Sequence, residues 1–249
     1  MNILVSGING QMGKEVALLC KNGYRGAALA CGVDISSSAD NGVTVYKSFN
    51  DIKDEKIDCI IDFSHHSAAP ALLEFATAHG IPTVVATTAH TAEEMDAISR
   101  AAEKIPVFFS ANMSLGVALL VELAKTAALA MPDAEIEIIE KHHNRKLDAP
   151  SGTALMISSA IKEVRPGAYE SVGRSGHGKR CTDEIGIHSI RMGNIVGEHE
   201  VIIGTQTQTI TLKHEAHSRT LFAEGAIAAA AFLVTRPRGL YDMKSLVGG

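Results

Sequence analysis

Cysteine is scarce in this chain of 249 residues, which contains only Cys20, Cys31, Cys59 and Cys181. No two of them form a C-x-x-C pair. A scaffold held together by disulfides would be much shorter and richer in cysteine. We therefore predict free thiols and a cytoplasmic location.

Long runs of basic or of apolar residues are also missing. The formal net charge is −5 and no five Lys or Arg residues are consecutive, so a nucleic-acid-binding surface is not expected. The longest apolar run, 115–131, contains Glu122 and Lys125 and is too short and too charged to span a membrane. The first residues show no basic segment ahead of an apolar one, which predicts no signal peptide. What remains is the composition of a globular protein with a sizeable core.

The hydrophobic pattern changes after about residue 110. Before that point, short apolar segments alternate with helical patterns, and Thr91 with Glu94 predicts a helix that begins at Ala92. Such alternation is typical of a parallel sheet with right-handed crossovers. Its predicted strands are 3–5, 27–33, 59–63, 83–86 and 107–109.

The second half favours a mixed or antiparallel sheet, because its strands follow one another with few helices between them. We predict a long helix over 114–131, a loop over 173–178 and an apolar helix over 221–234 that could pack on either half. The predicted strands are 135–138, 185–191, 201–203 and 207–213.

The segment GINGQMG, residues 7–13, follows the first predicted strand and opens a helix. It is a variant of the dinucleotide-binding glycine turn, in which glycines let the backbone approach a pyrophosphate at a helix N-terminus. Asp34 ends the second predicted strand, where a carboxylate accepts hydrogen bonds from ribose hydroxyls, although a surface turn is the alternative. The fold class is therefore predicted as α/β, a Rossmann-type parallel-sheet domain plus an α+β domain with a mixed open sheet. Predicted cofactor-binding residues are Gly7, Asn9, Gly10, Gln11, Met12, Gly13 and Asp34.

Asp34 also bears on the choice of cofactor. A carboxylate there repels a 2′-phosphate, and residues 35–38 supply serine hydroxyls but no arginine. NADH is therefore favoured over NADPH. Lys14 or the serines could still accommodate the phosphate.

The segment EKHHNRKLDAPSGTA, residues 140–154, concentrates positive charge in an otherwise acidic chain. Its histidines can donate a proton near neutral pH, and a helix that starts near Gly152 offers N–H groups to a carboxylate. A zinc site is an alternative, but zinc needs three or four ligands and no further Cys or His is clustered here, so no metal is predicted. A solvated basic loop is the other alternative.

This segment resembles the corresponding segment of the dihydrodipicolinate reductase family. Further blocks agree in order along essentially the whole chain. They are the glycine turn, Asp62-Phe63-Ser64, Ala86-Thr87-Thr88-Ala89, residues 111–117, Glu184-Ile185-Gly186 with Arg191, and Gly197-Glu198-His199.

The resemblance implies an NAD(P)H-dependent enzyme that reduces 4-hydroxy-tetrahydrodipicolinate, a small dicarboxylate, to tetrahydrodipicolinate in diaminopimelate and lysine biosynthesis. It implies a homotetramer, a dinucleotide-binding domain over 1–113 and 220–249, and a substrate-binding and tetramerisation domain over 114–219.

The resemblance also implies residue roles. His142 would be the general acid, and Lys146 would hold the substrate and support formation of the reducible imine. The substrate carboxylates would be bound by His143, Gly152 and Thr153. Thr88 would lie near the nicotinamide ribose and the substrate, and the nicotinamide site would be lined by Ala111, Asn112 and Met113. The cofactor-binding residues would also include Ala86, Thr87 and Thr88.

Two positions depart from the family pattern. The usual G-T-T-G is here Ala86-Thr87-Thr88-Ala89, so a positive φ is reached less easily at its ends. Met113 stands where phenylalanine is common. We expect these changes to affect rate and cofactor affinity rather than the class of reaction.

Three other functions are compatible with part of this pattern. Another reductase on the same scaffold, such as an amino-acid dehydrogenase, would not need the basic segment 140–154. A dinucleotide sensor would keep only the glycine turn, and a structural scaffold would need neither motif. The presence of both motifs favours the enzyme.

Overall fold

The computed structural model describes residues 1–36 and 42–248. Ser37 and Ser38, part of the predicted hydroxyl-rich segment, lie outside the described residues. The chain divides into two compact units, Met1–Leu115 with Thr220–Gly249 and Gly116–Arg219. Among the described residues, each helix falls short of the length and apolarity that crossing a membrane requires.

The first unit is a parallel sheet of seven strands with helices on both faces. Its elements in chain order are β1 (Asn2–Ser6), α1 (Gln11–Lys21), β2 (Ala28–Val33), β3 (Val45–Tyr46), β4 (Cys59–Asp62), α2 (Ala69–His79), β5 (Thr83–Val85), α3 (Ala92–Ala102), β6 (Pro106–Phe109), α6 (Thr220–Leu233), β12 (Gly239–Tyr241) and α7 (Met243–Val247). The strand order in the sheet is β12-β6-β5-β4-β1-β2-β3.

The direction of the crossovers explains the two helix layers. The chain moves one way from β1 to β2 and the other way from β4 through β5 to β6. Right-handed crossovers therefore place α1 on one face and α2 and α3 on the other. Strands buried on both sides need apolar residues throughout, and Ile3, Leu4, Ile60 and Ile61 are fully buried.

The second unit contains a mixed sheet of five strands. Its elements are α4 (Leu115–Ala130), β7 (Glu135–His142), α5 (Gly152–Val164), β8 (Tyr169–Val172), β9 (Glu184–Arg191), β10 (Gly197–Gly204) and β11 (Thr209–Ala216). The strand order is β11-β10-β7-β9-β8. β10 is antiparallel to β7 and β11, whereas β9 is parallel to β7 and β8.

The predicted fold class is confirmed, with differences in detail. The helix that begins at Ala92 has the predicted capping box of Thr91 and Glu94. The strands β3, β8 and β12 were not predicted, because none of them contains a run of three apolar residues such as the one in β6. The apolar helix α6 belongs to the first unit, a choice that periodicity left open.

Candidate active site

The glycine turn at 7–13 joins β1 to α1 in a space that excludes side chains. Gly7 has a φ of +75°, and a Cβ there would lie 2.7 Å from the carbonyl oxygen of Phe63. A Cβ on Gly13 would lie 2.0 Å from the carbonyl oxygen of Gly7. The turn closes through a 3.0 Å hydrogen bond from the Gly10 N–H to the Gly7 carbonyl. It thereby begins α1 at a helix N-terminus that attracts anions.

Asp34 follows β2 and fixes the glycine turn. Its Oδ2 accepts the Asn9 backbone N–H at 2.9 Å, and its Oδ1 accepts the Ser36 N–H and hydroxyl at 2.9 and 2.6 Å. Burial raises the pKa of Asp34, but the hydrogen bonds from Ser36 and Asn9 outweigh it and lower the pKa below its usual value. The carboxylate is therefore ionised at neutral pH, with lone pairs left for ribose hydroxyls.

Two adjoining cavities of about 690 and 540 Å³ lie at the carboxyl ends of the parallel strands. Phe63, Ser64 and His65 line both of them. They lie where the strand order reverses between β1 and β4, the position at which open α/β sheets bind dinucleotides. Paired cavities on either side of the glycine turn suit a ligand that has a nucleoside at each end.

Most of the predicted cofactor residues are brought together here. Ala111, Asn112 and Met113 follow β6 and line neither cavity, so their role stays a prediction. Sequence analysis missed Lys47 and the His65-His66 pair as lining residues, although their place after β3 and β4 is the signal that could have found them. The first cavity is lined by Gly7, Asn9, Gly10 and Asp34, and the second by Gln11, Met12, Ala86, Thr87 and Thr88.

Ala89 occupies a backbone conformation that favours glycine. Its φ is +64°, at the end of the loop where the resembling family has glycine. The loop is held from both sides: the Thr87 hydroxyl donates to Asp62 at 2.7 Å, and the His90 Nε2 lies 3.0 Å from the Thr87 carbonyl oxygen. Of the two alanines, only Ala89 adopts the unfavourable positive φ, whereas Ala86 has a negative φ.

Replacing Ala89 with glycine is expected to raise the free energy of unfolding by roughly 1 kcal/mol, because a left-handed conformation costs an alanine about that much. Urea denaturation followed by circular dichroism measures it. Ala86→Gly is the matched control, since it removes a buried methyl group without relieving strain and should lower stability. An Ala89→Gly variant less stable than the wild type would contradict the assignment of strain.

In the second unit, the buried face of β7 changes from apolar to ionic at its end. Ile136 and Ile138 lie in the core, and the next two residues on the same face are Glu140 and His142, whose exposed fractions are 0% and 9%. A buried carboxylate must be paired. Glu140 is paired with Arg191, which donates to Oε2 at 2.8 Å and to Oε1 at 2.7 Å.

Glu140 also connects β7 to the start of α5. Its Oε2 accepts the His142 Nδ1–H at 2.6 Å, and its Oε1 accepts the Ser151 backbone N–H at 3.1 Å. Burial raises the pKa of Glu140, but the hydrogen bonds from Arg191, Ser189 and His142 lower it to about 2. An ionised carboxylate thus holds the predicted acid beside the helix that carries Gly152 and Thr153.

His199 is a residue of this site for which sequence reasoning gave no role. Its ring lies edge-on to His142 with the centroids 5.2 Å apart, and its Nε2 lies 2.9 Å from the Ser151 hydroxyl, the N-cap of α5. Burial, followed by the charge of His142, lowers the pKa of His199 to about 4. The His199 ring is therefore neutral at physiological pH.

The free energy of unfolding is expected to fall as the pH drops from about 6.5 towards 4. In that window His199 is protonated in the unfolded chain but not in the folded chain. The contribution of His199 to the free energy of unfolding is therefore fully present above its unfolded pKa and is lost progressively as the pH falls below it. His199→Gln should flatten this slope, and His177→Gln, in an exposed loop, should leave it unchanged. Equal slopes for the wild type and His199→Gln would show that His199 does not titrate this way.

The loop after β7 carries the remaining predicted residues. The Lys146 ammonium lies 2.9 Å from the Asp148 carboxylate, an exposed partner that it can exchange for another anion. Burial, then the charge of Arg145, lowers the pKa of His143, and its buried Nδ1 has no hydrogen-bond partner among residues 1–36 and 42–248. Gly152 is exposed at the first turn of α5. Over the same residues, no three His, Cys, Asp or Glu side chains are arranged to hold a metal ion.

The comparisons with known proteins agree with these two halves. The family model described as "Dihydrodipicolinate reductase, N-terminus" matches residues 1–113, and the one described as "Dihydrodipicolinate reductase, C-terminus" matches residues 116–247.

Curated relatives extend the match to nearly the full chain. The 4-hydroxy-tetrahydrodipicolinate reductase of Caldanaerobacter subterraneus subsp. tengcongensis is 45% identical, covering 99% of this chain and 98% of that protein. The protein of the same name from Clostridium tetani is 40% identical, with coverage of 99% and 97%. A dipicolinate-bound dihydrodipicolinate reductase from Paenisporosarcina sp. TG-14 shares the fold, with a TM-score of 0.82, 24% identity and 97% of each chain covered.

Proposed function

Because the chain belongs to the dihydrodipicolinate reductase family, we propose that its two units divide the work of the family's reaction. That reaction is the reduction of 4-hydroxy-tetrahydrodipicolinate to tetrahydrodipicolinate by hydride transfer from NAD(P)H, in diaminopimelate and lysine biosynthesis. The first unit would bind the dinucleotide and the second the dicarboxylate. The observation that carries this assignment is the hydrogen-bonded pair of Glu140 and His142 next to the exposed start of α5.

The cofactor residues fit a dinucleotide. The glycine turn leaves no room for a Cβ at Gly7 or Gly13, as close approach to a pyrophosphate requires. Asp34 is ionised and would accept hydrogen bonds from the ribose hydroxyls. The loop 86–89 would border the nicotinamide end of the dinucleotide. When bound, the reduced cofactor supplies the hydride from its nicotinamide ring.

The second unit would hold the substrate and provide the proton. Lys146 would exchange Asp148 for a substrate carboxylate, and His143 with the N–H groups of Gly152 and Thr153 would bind the carboxylates. His142 in its doubly protonated form would donate the proton on Nε2 to the substrate as the hydride arrives, and would be left as the neutral ring with its hydrogen on Nδ1. Lys146 would also support formation of the imine that is reduced.

For the cofactor we propose a preference for NADH, because Asp34 faces the first cavity and opposes a 2′-phosphate. Lys47 lines that cavity, whereas Lys14 does not, so Lys47 is the cation that would accommodate NADPH. Asp34→Asn is expected to shift the ratio of kcat/KM values towards NADPH by about tenfold, the effect of roughly 1.4 kcal/mol of relieved repulsion. Asp96→Asn is the control, because it removes the same negative charge from an exposed position in α3 and should leave the cofactor ratio unchanged.

The assay that tests both proposals generates the unstable substrate in place with the preceding synthase and follows nicotinamide oxidation with each cofactor. Turnover with either cofactor supports the function. No turnover would contradict it, and a higher kcat/KM for NADPH than for NADH would contradict the preference alone.

We also propose a homotetramer in the cytoplasm. The assembly is supported by β11, which lies at the edge of the second sheet and has mostly exposed side chains. An exposed edge strand can pair with another chain. The location is supported by the buried free thiols of Cys20, Cys31 and Cys59. Light scattering should give a mass about four times the 26.3 kDa of the chain, and a monomer would contradict the assembly.

A further inference from the structure

The orientation of the His142 ring is determined by groups that lie beneath it. Parallel pairing places His142 opposite Arg191, and antiparallel pairing places Glu140 opposite His199, so all four side chains share one face of the sheet. The Glu140 carboxylate is wholly buried between them. It accepts a hydrogen bond from His142 on one side and hydrogen bonds from both terminal nitrogens of Arg191 on the other.

Arg191 is itself fixed, which makes it a rigid support for Glu140. Besides Glu140, its terminal nitrogens donate to the carbonyl oxygens of Ile190 at 2.9 Å and of Asp148 at 2.7 Å. A planar guanidinium that binds a carboxylate through two parallel hydrogen bonds fixes direction as well as charge. Glu140 therefore has little freedom to rotate away from His142.

The two ring nitrogens of His142 face different surroundings. Nδ1 lies 2.6 Å from the Glu140 carboxylate, which can only accept, so Nδ1 must carry a hydrogen. On the Nε2 side the neighbour is Gly197, where a Cβ would lie only 3.1 Å from Nε2. Glycine at 197 thus leaves space beside the nitrogen that is not bound to Glu140.

We propose that Glu140, clamped by Arg191, is a positioning residue that fixes His142 with Nδ1–H towards the protein and Nε2 towards the substrate. This rests on the proposed function, in which His142 is the proton donor. A histidine whose other nitrogen is fixed by a carboxylate keeps a single tautomer and a single orientation. Loss of the carboxylate would leave substrate contacts in place but remove the charge that stabilises the doubly protonated ring, and a neutral ring is a much weaker proton donor.

Glu140→Gln gives a specific expected outcome. Both oxygens receive two donors, but at Oε1 both of them, from Arg191 and Ser151, can only donate. At Oε2 one of the two is His142, whose Nδ1 can accept instead, so the amide oxygen should take the Oε1 place and the amide nitrogen should face His142. The nitrogen would then donate to Nδ1 and force the neutral ring into the Nε2–H tautomer. We expect kcat to fall on the order of 10²-fold, with the KM of the substrate and the binding of NADH nearly unchanged.

The experiment combines this kinetic split with ¹⁵N NMR of histidine-labelled protein, in which the His142 signals are those missing from His142→Ala. In the wild type the neutral ring should be the Nδ1–H form, and in Glu140→Gln the Nε2–H form. Glu137→Gln is the matched control, because Glu137 pairs with His188 at 2.9 Å on the opposite face of the same strand. It should change neither the His142 tautomer nor kcat.

Three results would overturn the proposal. They are an Nε2–H form in the wild type, an unchanged tautomer in Glu140→Gln, and an unchanged kcat in that variant. The wild-type spectrum decides the matter even if Glu140→Gln folds poorly. Because the spectra need no substrate, they stand apart from the proposed function, whose own failure would appear as full activity of His142→Ala.

Discussion

The His142→Ala variant is expected to lose about 10² to 10⁴-fold in kcat, the usual contribution of a positioned general acid. NADH binding should barely change, because His142 belongs to the second unit and the glycine turn to the first. Stopped-flow measurement of hydride transfer with enzymatically generated substrate, together with an NADH titration, measures the two effects separately.

The control for this variant is His177→Ala, which removes an exposed histidine from a loop of the same unit. Lys146→Ala should behave differently from both, because it is expected to raise KM as well as to lower kcat. If His142→Ala turned over like the wild type, the proton would have to come from elsewhere, and the role assigned to His142 would be wrong.

Gly13→Ala is expected to lower the free energy of unfolding by about 1–3 kcal/mol and to weaken NADH binding with it. The added Cβ would lie 2.0 Å from the Gly7 carbonyl oxygen and 2.7 Å from the Ile8 Cα. Both are backbone atoms, so relief requires a shift of the turn rather than a change of rotamer. Urea denaturation and NADH titration measure the two losses.

Gly10→Ala is the control within the same turn. A Cβ at Gly10 would lie 3.2 Å from the Gly7 carbonyl oxygen, and the φ of −70° suits any residue. We expect a loss below about 1 kcal/mol there. Equal losses of unfolding free energy in Gly10→Ala and Gly13→Ala would mean that the close approach of Gly13 to the Gly7 carbonyl oxygen does not require glycine at position 13.

Local patterns predicted the parts of this molecule that local physics determines. The glycine turn, the capping box at Thr91 and the position of Asp34 after β2 each depend on neighbours within the same segment. The parallel direction of the strands in the first sheet, but not their order, followed from the alternation of strands and helices. The basic segment 140–154 pointed to the second half of the site through residue types alone.

Other features depend on contacts between distant segments, which no local pattern contains. Arg191 reaches Glu140 across 51 positions, and His199 reaches Ser151 across 48. Both contacts follow from the register of β9 and β10 against β7, which the sequence does not display. The sequence therefore showed the alternation of residues along β7 but not the partners of Glu140 and His142 at its end.

The connection of the first sheet has a consequence for how the protein is made. Its edge strand β12 pairs with β6, and a Cβ on Gly225 of α6 would meet the Met113 carbonyl oxygen at 1.7 Å, so the C-terminal segment packs closely into that unit. A ribosome releases residues 220–241 after residues 116–219, so the inserted unit can complete its own core before the last strand of the first sheet is available. In nascent chains of which residues up to 219 have left the ribosome, the inserted unit should resist proteolysis while residues 1–115 remain susceptible.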